Sequence, residues 1–284
     1  MRRLLIAGCG YVGTMAADLF HRAGWEVEGW TRSSESATAL SDKPYPVSAL
    51  DVSNKDQVVA VPAVDFEAII HCASTRGGDA ESYRQVYLRG AQNLLNRFAG
   101  SKLLFTSSTS VYAQKKGEWI TEESPAEPEH ETGKILLEAE KLVLARGGTI
   151  ARLSGIYGPG RSALLKKFLN NQAIIDPKKD RFVNQAHRDD VAAAFFLLLD
   201  RQLPPGEIYN VVDDKPIQES EFYGWLAERL SRPPPPVAKS TAKRKRGESN
   251  KRVSNAKLRA LGWTPRYPTF MEGMEQSVLP SFNF

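Results

Sequence analysis

Leu4-Leu5-Ile6-Ala7-Gly8-Cys9-Gly10-Tyr11-Val12-Gly13 is an apolar run that opens directly into a G-x-G-x-x-G loop. The three glycines serve different ends. Gly8 allows the tight turn after a strand, Gly10 lets backbone approach a pyrophosphate, and Gly13 lets the next helix pack closely on the sheet. A helix beginning at Tyr11 and Val12 and running to about Ala23 turns its first N–H groups and positive dipole end toward the phosphates. A second strand is expected at about Trp25–Trp30. An apolar strand before the loop and an amphipathic helix after it make this a dinucleotide site rather than a bare glycine turn.

The chain has 284 residues, 42% hydrophobic and 25% charged, the composition of an ordinary globular protein. No apolar stretch approaches the roughly 20 residues of a membrane span, and the longest, Val191–Leu199, reads as a buried helix. Met1-Arg2-Arg3 runs straight into the first strand, so no signal peptide is expected. Two cysteines, Cys9 and Cys72, make no disulfide framework, which fits a reducing cytoplasm. They read as buried small residues, with a redox pair as the alternative. The net charge of +5 owes much to the run from Lys239 to Arg252, which includes Lys243-Arg-Lys-Arg246. No aromatic residue interrupts that run to stack on a base, so a solvated loop or basic rim is preferred to a nucleic-acid arm.

Strands are expected at Arg3–Ala7, Glu26–Thr31, Pro46–Ala49, Ala68–Cys72, Lys102–Ser107 and Thr149–Leu153. Helices alternate with them at Tyr11–Ala23, Asp56–Val61, Ser82–Ala99 and Thr132–Ala145. Short apolar strands alternating with helices imply an α/β, doubly wound parallel sheet of the Rossmann type. Its ligand lies beyond the carboxyl ends of the strands. Residues 1–153 would form this dinucleotide-binding core, with 189–212 rejoining it through a helix at Asp189–Asp200 and a strand at Glu207–Val212. Residues 154–188 and 213–284 would form a smaller C-terminal, substrate-binding lobe. Ser154–Arg188 reads as irregular around one helix at Leu164–Asn170. Further helices are expected at Glu219–Leu230 and Ser254–Gly262, with Gly262 as a stop.

The end of the second strand bears on the cofactor. A site for NAD usually places an acid there to accept from the ribose 2′-hydroxyl. Here Thr31-Arg32-Ser33 follows Trp30, and no acid comes before Glu35. Arg32 can fork to a 2′-phosphate while Thr31 and Ser33 donate to it, which favours NADP over NAD.

Several motifs occur in order: the glycine loop, Asp51-Val52, His71-Cys-Ala-Ser74, Ser107-Ser-Thr-Ser-Val-Tyr112, Arg152-Leu-Ser-Gly-Ile-Tyr-Gly-Pro-Gly160, His187-Arg-Asp-Asp-Val191, Tyr209-Asn-Val-Val212 and Asn250–Leu258. Together they resemble the extended short-chain dehydrogenase/reductase superfamily, NAD(P)-dependent epimerase/dehydratase type. The resemblance implies that Asp51 and Val52 meet the adenine and that Ala73 and Ser74 pass the ribose and phosphates. It implies that Ser108 hydrogen-bonds the reacting oxygen, a small hydroxyl- or carbonyl-bearing substrate being the partner. It also suggests a homodimer through Ser82–Ala99 and Thr132–Ala145.

The family's acid/base pair is Tyr-x-x-x-Lys, a phenol whose proton is controlled by a lysine one helical turn later. Lys134 matches the lysine and would bond the nicotinamide ribose, but His130 stands in the place of the tyrosine. This departure resembles the atypical branch of the superfamily. Three readings stay open: His130 carries the proton, another hydroxyl (Tyr112, Tyr157 or Tyr83) does, or the protein binds NADP without turnover as a redox-sensing regulator. A structural role for His130, exposed before a helix capped by Thr132, competes with the first. A literal Tyr-x-x-x-Lys at Tyr112–Lys116 is read as a decoy. His187, in a recurring His-x-x-Asp stretch, reads as a structural hydrogen-bonder, and no metal site is expected.

Overall fold

The computed structural model describes residues 2–62, 64–75, 77–201, 203–239 and 249–282. The core begins with β1 (Arg3–Ala7), α1 (Tyr11–Arg22), β2 (Glu26–Thr31), α2 (Ser34–Thr38), β3 (Val47–Ala49), α3 (Lys55–Ala60) and β4 (Ala68–His71). Next come α4 (Ala80–Tyr83), a π-helical turn at Arg84–Arg89, and α5 (Gly90–Arg97), which together replace the single helix expected over Ser82–Ala99. β5 (Lys102–Ser108), β6 (Glu118–Ile120), α6 (Glu131–Leu144) and β7 (Thr149–Leu153) complete the first half.

Seven strands pair in the order β11-β7-β5-β4-β1-β2-β3, where β11 is Ile208–Val211. Every pairing in this sheet is parallel. Such a sheet must be covered on both faces, and its central strands accordingly carry apolar runs at Leu4–Ala7, Ala68–Ile70 and Leu103–Phe105. One face buries Leu4, Ile6, Phe20, Ile70 and Phe195, and the other buries Leu5, Trp30, Ile69, Leu94 and Phe105. On the first face, α8 (Arg188–Asp200) packs against α1. Val191–Leu199 lies inside that helix.

The segment after β7 is more ordered than its sequence suggests. It contains β8 (Gly155–Tyr157), α7 (Ala163–Leu169), β9 (Phe182–Val183) and β10 (Gln185–His187). β12 (Ile217–Gln218), α9 (Glu219–Arg229), β13 (Lys251–Val253), α10 (Ala256–Ala260) and α11 (Phe270–Gly273) follow. The small strands pair β8 with β10, β9 with β12 and β6 with β13. Pairs this short carry no periodic sequence signal. Behind them lies a separate apolar cluster around Tyr157, Phe168, Phe222, Tyr223, Phe270 and Met274. The chain turns out of α10 at Gly262, whose φ of +89° suits a residue without a Cβ. The basic stretch Lys243–Arg246 lies outside the described residues. Among the described residues, no helix is long and apolar enough to cross a membrane.

Candidate functional site

The strand order reverses between β1 and β4, so a crevice opens beyond Ala7 and His71, where ligands bind in such sheets. The glycine loop spans it. Gly8 leaves β1 at φ +108°, and a Cβ there would lie 2.2 Å from the backbone nitrogen of Ala73. A Cβ on Gly13 would lie 2.3 Å from the Gly8 carbonyl oxygen. Gly10 is the contrast, since a Cβ there would meet nothing within 4 Å. Two glycines are closed by packing and the middle one faces open space.

Gly10 also occupies the cap position of α1, which has neither a side-chain cap nor an acid in its first turn. The first N–H groups of that helix are thus left for an anion. These features fit a dinucleotide diphosphate. Val12 is buried beneath the loop, while the Tyr11 hydroxyl donates to the Pro159 carbonyl at 3.0 Å.

Around this loop the other expected cofactor residues take distinct positions. Thr31 is buried and donates to the Ser33 carbonyl at 3.2 Å. Ser33 caps α2, accepting from Ser36 N–H at 3.3 Å and donating to the Ser36 hydroxyl at 3.0 Å. Both hydroxyl protons are therefore spent within the turn. Arg32 is exposed and makes no ion pair among the described residues. The Asp51 carboxylate accepts from the backbone and hydroxyl of Ser53 at 2.9 and 2.7 Å, and Val52 is buried beside Gly90. The Ala73 N–H donates to the Ala7 carbonyl at 3.0 Å, and Ser74 is exposed.

His71 closes β4 in complete burial, which pushes its pKa down to about 4. The neutral ring donates from Nε2 to the Val86 carbonyl at 3.0 Å, within the π-helical turn. Gly90 lets the helix pass close over this ring, because a Cβ there would come within 3.0 Å of Nε2. Burial raises both cysteine thiols above their usual range, and Cys72 donates to the Gly8 carbonyl at 3.1 Å. Cys9 is buried as expected, while Cys72 is half-buried; a raised pKa keeps a thiol in its less reactive, protonated form.

At the end of β5, the Ser108 hydroxyl accepts from Ser110 N–H at 3.2 Å and caps a 3-10 turn at Thr109–Val111. α6 packs against that turn. A cleft here is lined by Tyr83, Ser110, Tyr112, His130, Thr132 and Ser249, with the Lys115–Glu129 ion pair at its edge. His130 is exposed and occupies the cap position of α6 without a side-chain cap bond. Thr132 lies inside the helix, so it is not the cap expected from sequence. Lys134 is exposed and lies outside the residues lining the cleft. Ser110 lies in the Ser107–Tyr112 stretch but is not the hydroxyl expected to act there, and Ser249 carried no sequence signal. Ser249 reaches the cleft only because β13 pairs with β6, bringing distant segments together.

Two of the alternative hydroxyls are committed elsewhere. Tyr112 is fully buried, donating to Asn210 Oδ1 at 3.0 Å and accepting from Arg152 at 2.8 Å. Arg152 in turn makes a two-point pair with Glu140, at 3.0 and 2.6 Å. Tyr157 is also buried, with its hydroxyl 3.5 Å from the Thr269 carbonyl. Tyr83 lines the same cleft as Tyr112, whereas Tyr157 does not. Along the carboxyl ends of β5, β7 and β11, Ser107 Oγ, Ser154 Oγ and Asp213 Oδ1 are buried without a hydrogen-bond partner among the described residues. Buried polar atoms of this kind are ordinarily satisfied by a water or ligand.

His187 is fully buried, and both ring nitrogens are engaged: Nε2 with the Ser277 hydroxyl at 3.0 Å, and Nδ1 accepting from Asp189 N–H at 3.2 Å. Asp190 accepts from Arg266 N–H at 2.6 Å and Tyr267 N–H at 3.1 Å, tying the C-terminal segment to α8.

Comparison with known proteins agrees with this geometry. A family described as the NAD dependent epimerase/dehydratase family matches residues 4–211. Protein YeeZ of Escherichia coli K12 is 29% identical over 250 residues, covering 83% of this chain and 86% of that protein. A candidate NAD-dependent epimerase/dehydratase from Methylobacillus flagellatus is 30% identical with a TM-score of 0.76, each chain covered to 97%. The UDP-glucose 4-epimerase of Thermotoga maritima, solved with UDP-glucose, has a TM-score of 0.83 at 18% identity, with 97% and 96% of the two chains covered. That last likeness is one of fold.

Proposed function

The chain belongs to the NAD dependent epimerase/dehydratase family, and from that premise we propose that it is a cytoplasmic, NADP-dependent oxidoreductase or epimerase/dehydratase-like enzyme. Its substrate is a small hydroxyl- or carbonyl-bearing molecule, with a sugar nucleotide as the first class to try. The observation that carries the reading is the asymmetry of the glycine loop: Gly8 and Gly13 are closed by packing, while Gly10 stands open at an uncapped helix start. Arg32, exposed and without an ion pair among the described residues, supports the phosphate-bearing cofactor.

When bound, the nicotinamide would supply a hydride acceptor or donor. The chain's own residues do the rest. Ser108 orients the reacting oxygen, His130 holds or takes up its proton at the imidazole, and Lys134, one turn further along α6, bonds the nicotinamide ribose. Thr31, Ser33, Asp51, Val52, Ala73 and Ser74 complete the cofactor wall. A homodimer through α5 and α6 belongs to the same reading.

Fluorescence titration with NADPH and NADH tests the cofactor, with tighter binding of NADPH expected. A panel of sugar nucleotides and simple carbonyls then tests turnover, and His130→Ala should slow it about a hundredfold. If His130→Ala and His130→Tyr both leave turnover unchanged, His130 has no acid/base role. One observation favours a second reading, a non-catalytic regulator that binds NADP: the exposed His130 ring makes no cap bond where the family has tyrosine. NADPH binding with no turnover across the panel would select it.

A further inference from the structure

Tyr11, the residue that follows the open Gly10, is flanked by two arginines of later segments. The guanidinium carbons of Arg161 and Arg188 lie 5.1 and 4.8 Å from its ring centroid. They reach it by separate routes. Arg161 ends a turn closed by reciprocal backbone bonds with Gly158, each 2.9 Å, and Tyr11 holds that turn through its bond to Pro159. Arg188 is the first residue of α8, which packs on α1. The Asp189 carboxylate pairs with Arg188 at 3.1 Å. Arg161 has no ion pair among the described residues.

Two like charges on one ring, beside a helix start that already favours anions, make a corner of excess positive charge. A face of tyrosine steadies each guanidinium without neutralising it. Planar guanidinium forks suit the paired oxygens of a diphosphate.

We propose that Arg161 and Arg188, held against the Tyr11 ring beside the start of α1, supply the positive charge that binds the dinucleotide diphosphate. The pair rests on the dinucleotide reading above, and it adds charges that no part of the G-x-G-x-x-G loop supplies. It makes the cofactor a bridge between the core, which contributes backbone N–H groups, and the segments after β7, which contribute charge.

The test is isothermal binding of NADPH, ADP-ribose and UDP-glucose to the full chain and to Arg161→Met, Arg188→Met and Arg229→Met. Arg229, on α9 and paired with Glu275, is the charge control. Arg161→Met and Arg188→Met should each weaken NADPH and ADP-ribose about tenfold and flatten the salt dependence of binding. UDP-glucose binding and the Arg229→Met control should not change. Arg161 is exposed, so its variant decides the question even where Arg188→Met loosens α8. Wild-type binding with unchanged variants, or a loss confined to UDP-glucose, would overturn the arginine pair alone. A wild-type chain that binds neither NADPH nor ADP-ribose would overturn the pair and the dinucleotide reading together.

Discussion

The α-carbon of Gly8 is pressed against the chain leaving β4, so that a methyl group on it would lie 2.2 Å from the Ala73 nitrogen. Gly8→Ala must therefore move backbone and also adopt a φ of +108°, at a cost of about 2 kcal/mol or more. Gly10→Ala meets no atom within 4 Å and should cost at most about 1 kcal/mol. The pair separates folding from binding. Gly8→Ala should lower the melting temperature, whereas Gly10→Ala should keep the fold and weaken NADPH at least tenfold. Equal NADPH affinity in Gly10→Ala and wild type would show that nothing approaches the backbone there.

Arg32 offers a test of cofactor preference. Removing a charged hydrogen bond to a phosphate costs about 1.5–3 kcal/mol. Arg32→Ala should thus weaken NADPH by about tenfold or more and leave NADH where it was. An unchanged ratio of the two dissociation constants would take Arg32 out of the site.

Glu140 and Arg152 form an ion pair in which both side chains are almost fully buried, at 2% and 4% exposure. Breaking such a pair from one side strands a charge in the interior, at about 3–5 kcal/mol. Glu140→Gln should destabilise the fold strongly, and Tyr112 should lose its fixed position with Arg152. Glu140→Leu combined with Arg152→Met should recover part of the loss. Urea denaturation of the two singles and the double reads this directly, and additive losses would show that the pair is not coupled.

Much of this architecture is local and was therefore readable. β1, α1 and β2 follow from one apolar strand, three spaced glycines and an amphipathic helix, and strand–helix alternation then leads to the parallel sheet. What escaped the sequence depends on contacts across the chain. The π-helical turn forms where the Val86 carbonyl meets His71, and no local pattern encodes that meeting. Ser249 enters the cleft through a three-residue pairing of β13 with β6. Thr132 carries the chemistry of a cap, but α6 starts at Glu131 with His130 in the cap position, two residues too early for Thr132 to serve. The middle of the basic run, Lys243–Arg246, lies outside the described residues.

His187 and Asp190 predict opposing responses to acid. His187 protonates near 6.5 when unfolded, but burial lowers its pKa to about 4 in the folded chain. The unfolded state binds more protons in that window, so this residue's contribution is lost as pH falls through it. Burial raises the Asp190 carboxyl to about 6, so the folded chain takes up that proton first. Its contribution grows as pH falls from about 6 toward 3.8 and is lost as pH rises again. His187→Gln removes the first effect alone. Its stability relative to wild type should improve between pH 6.5 and 4.5, by about 2 kcal/mol at most. A gap that stays constant across those buffers would mean the buried ring is not held neutral.

The π-helical turn at Arg84–Arg89 also acts as a phase shifter. Its extra residue advances the helix by one position, so Tyr83 and the buried Leu94 are not related by ordinary helical spacing. A homologous chain with one residue fewer in this turn would close into a regular helix. The part before the deletion would then swing by about 100° around the axis, carrying Tyr83 off the cleft and withdrawing the Val86 carbonyl from His71. Length in this turn is thus under the same constraint as residue identity, and gaps there would mark relatives with a differently walled cleft.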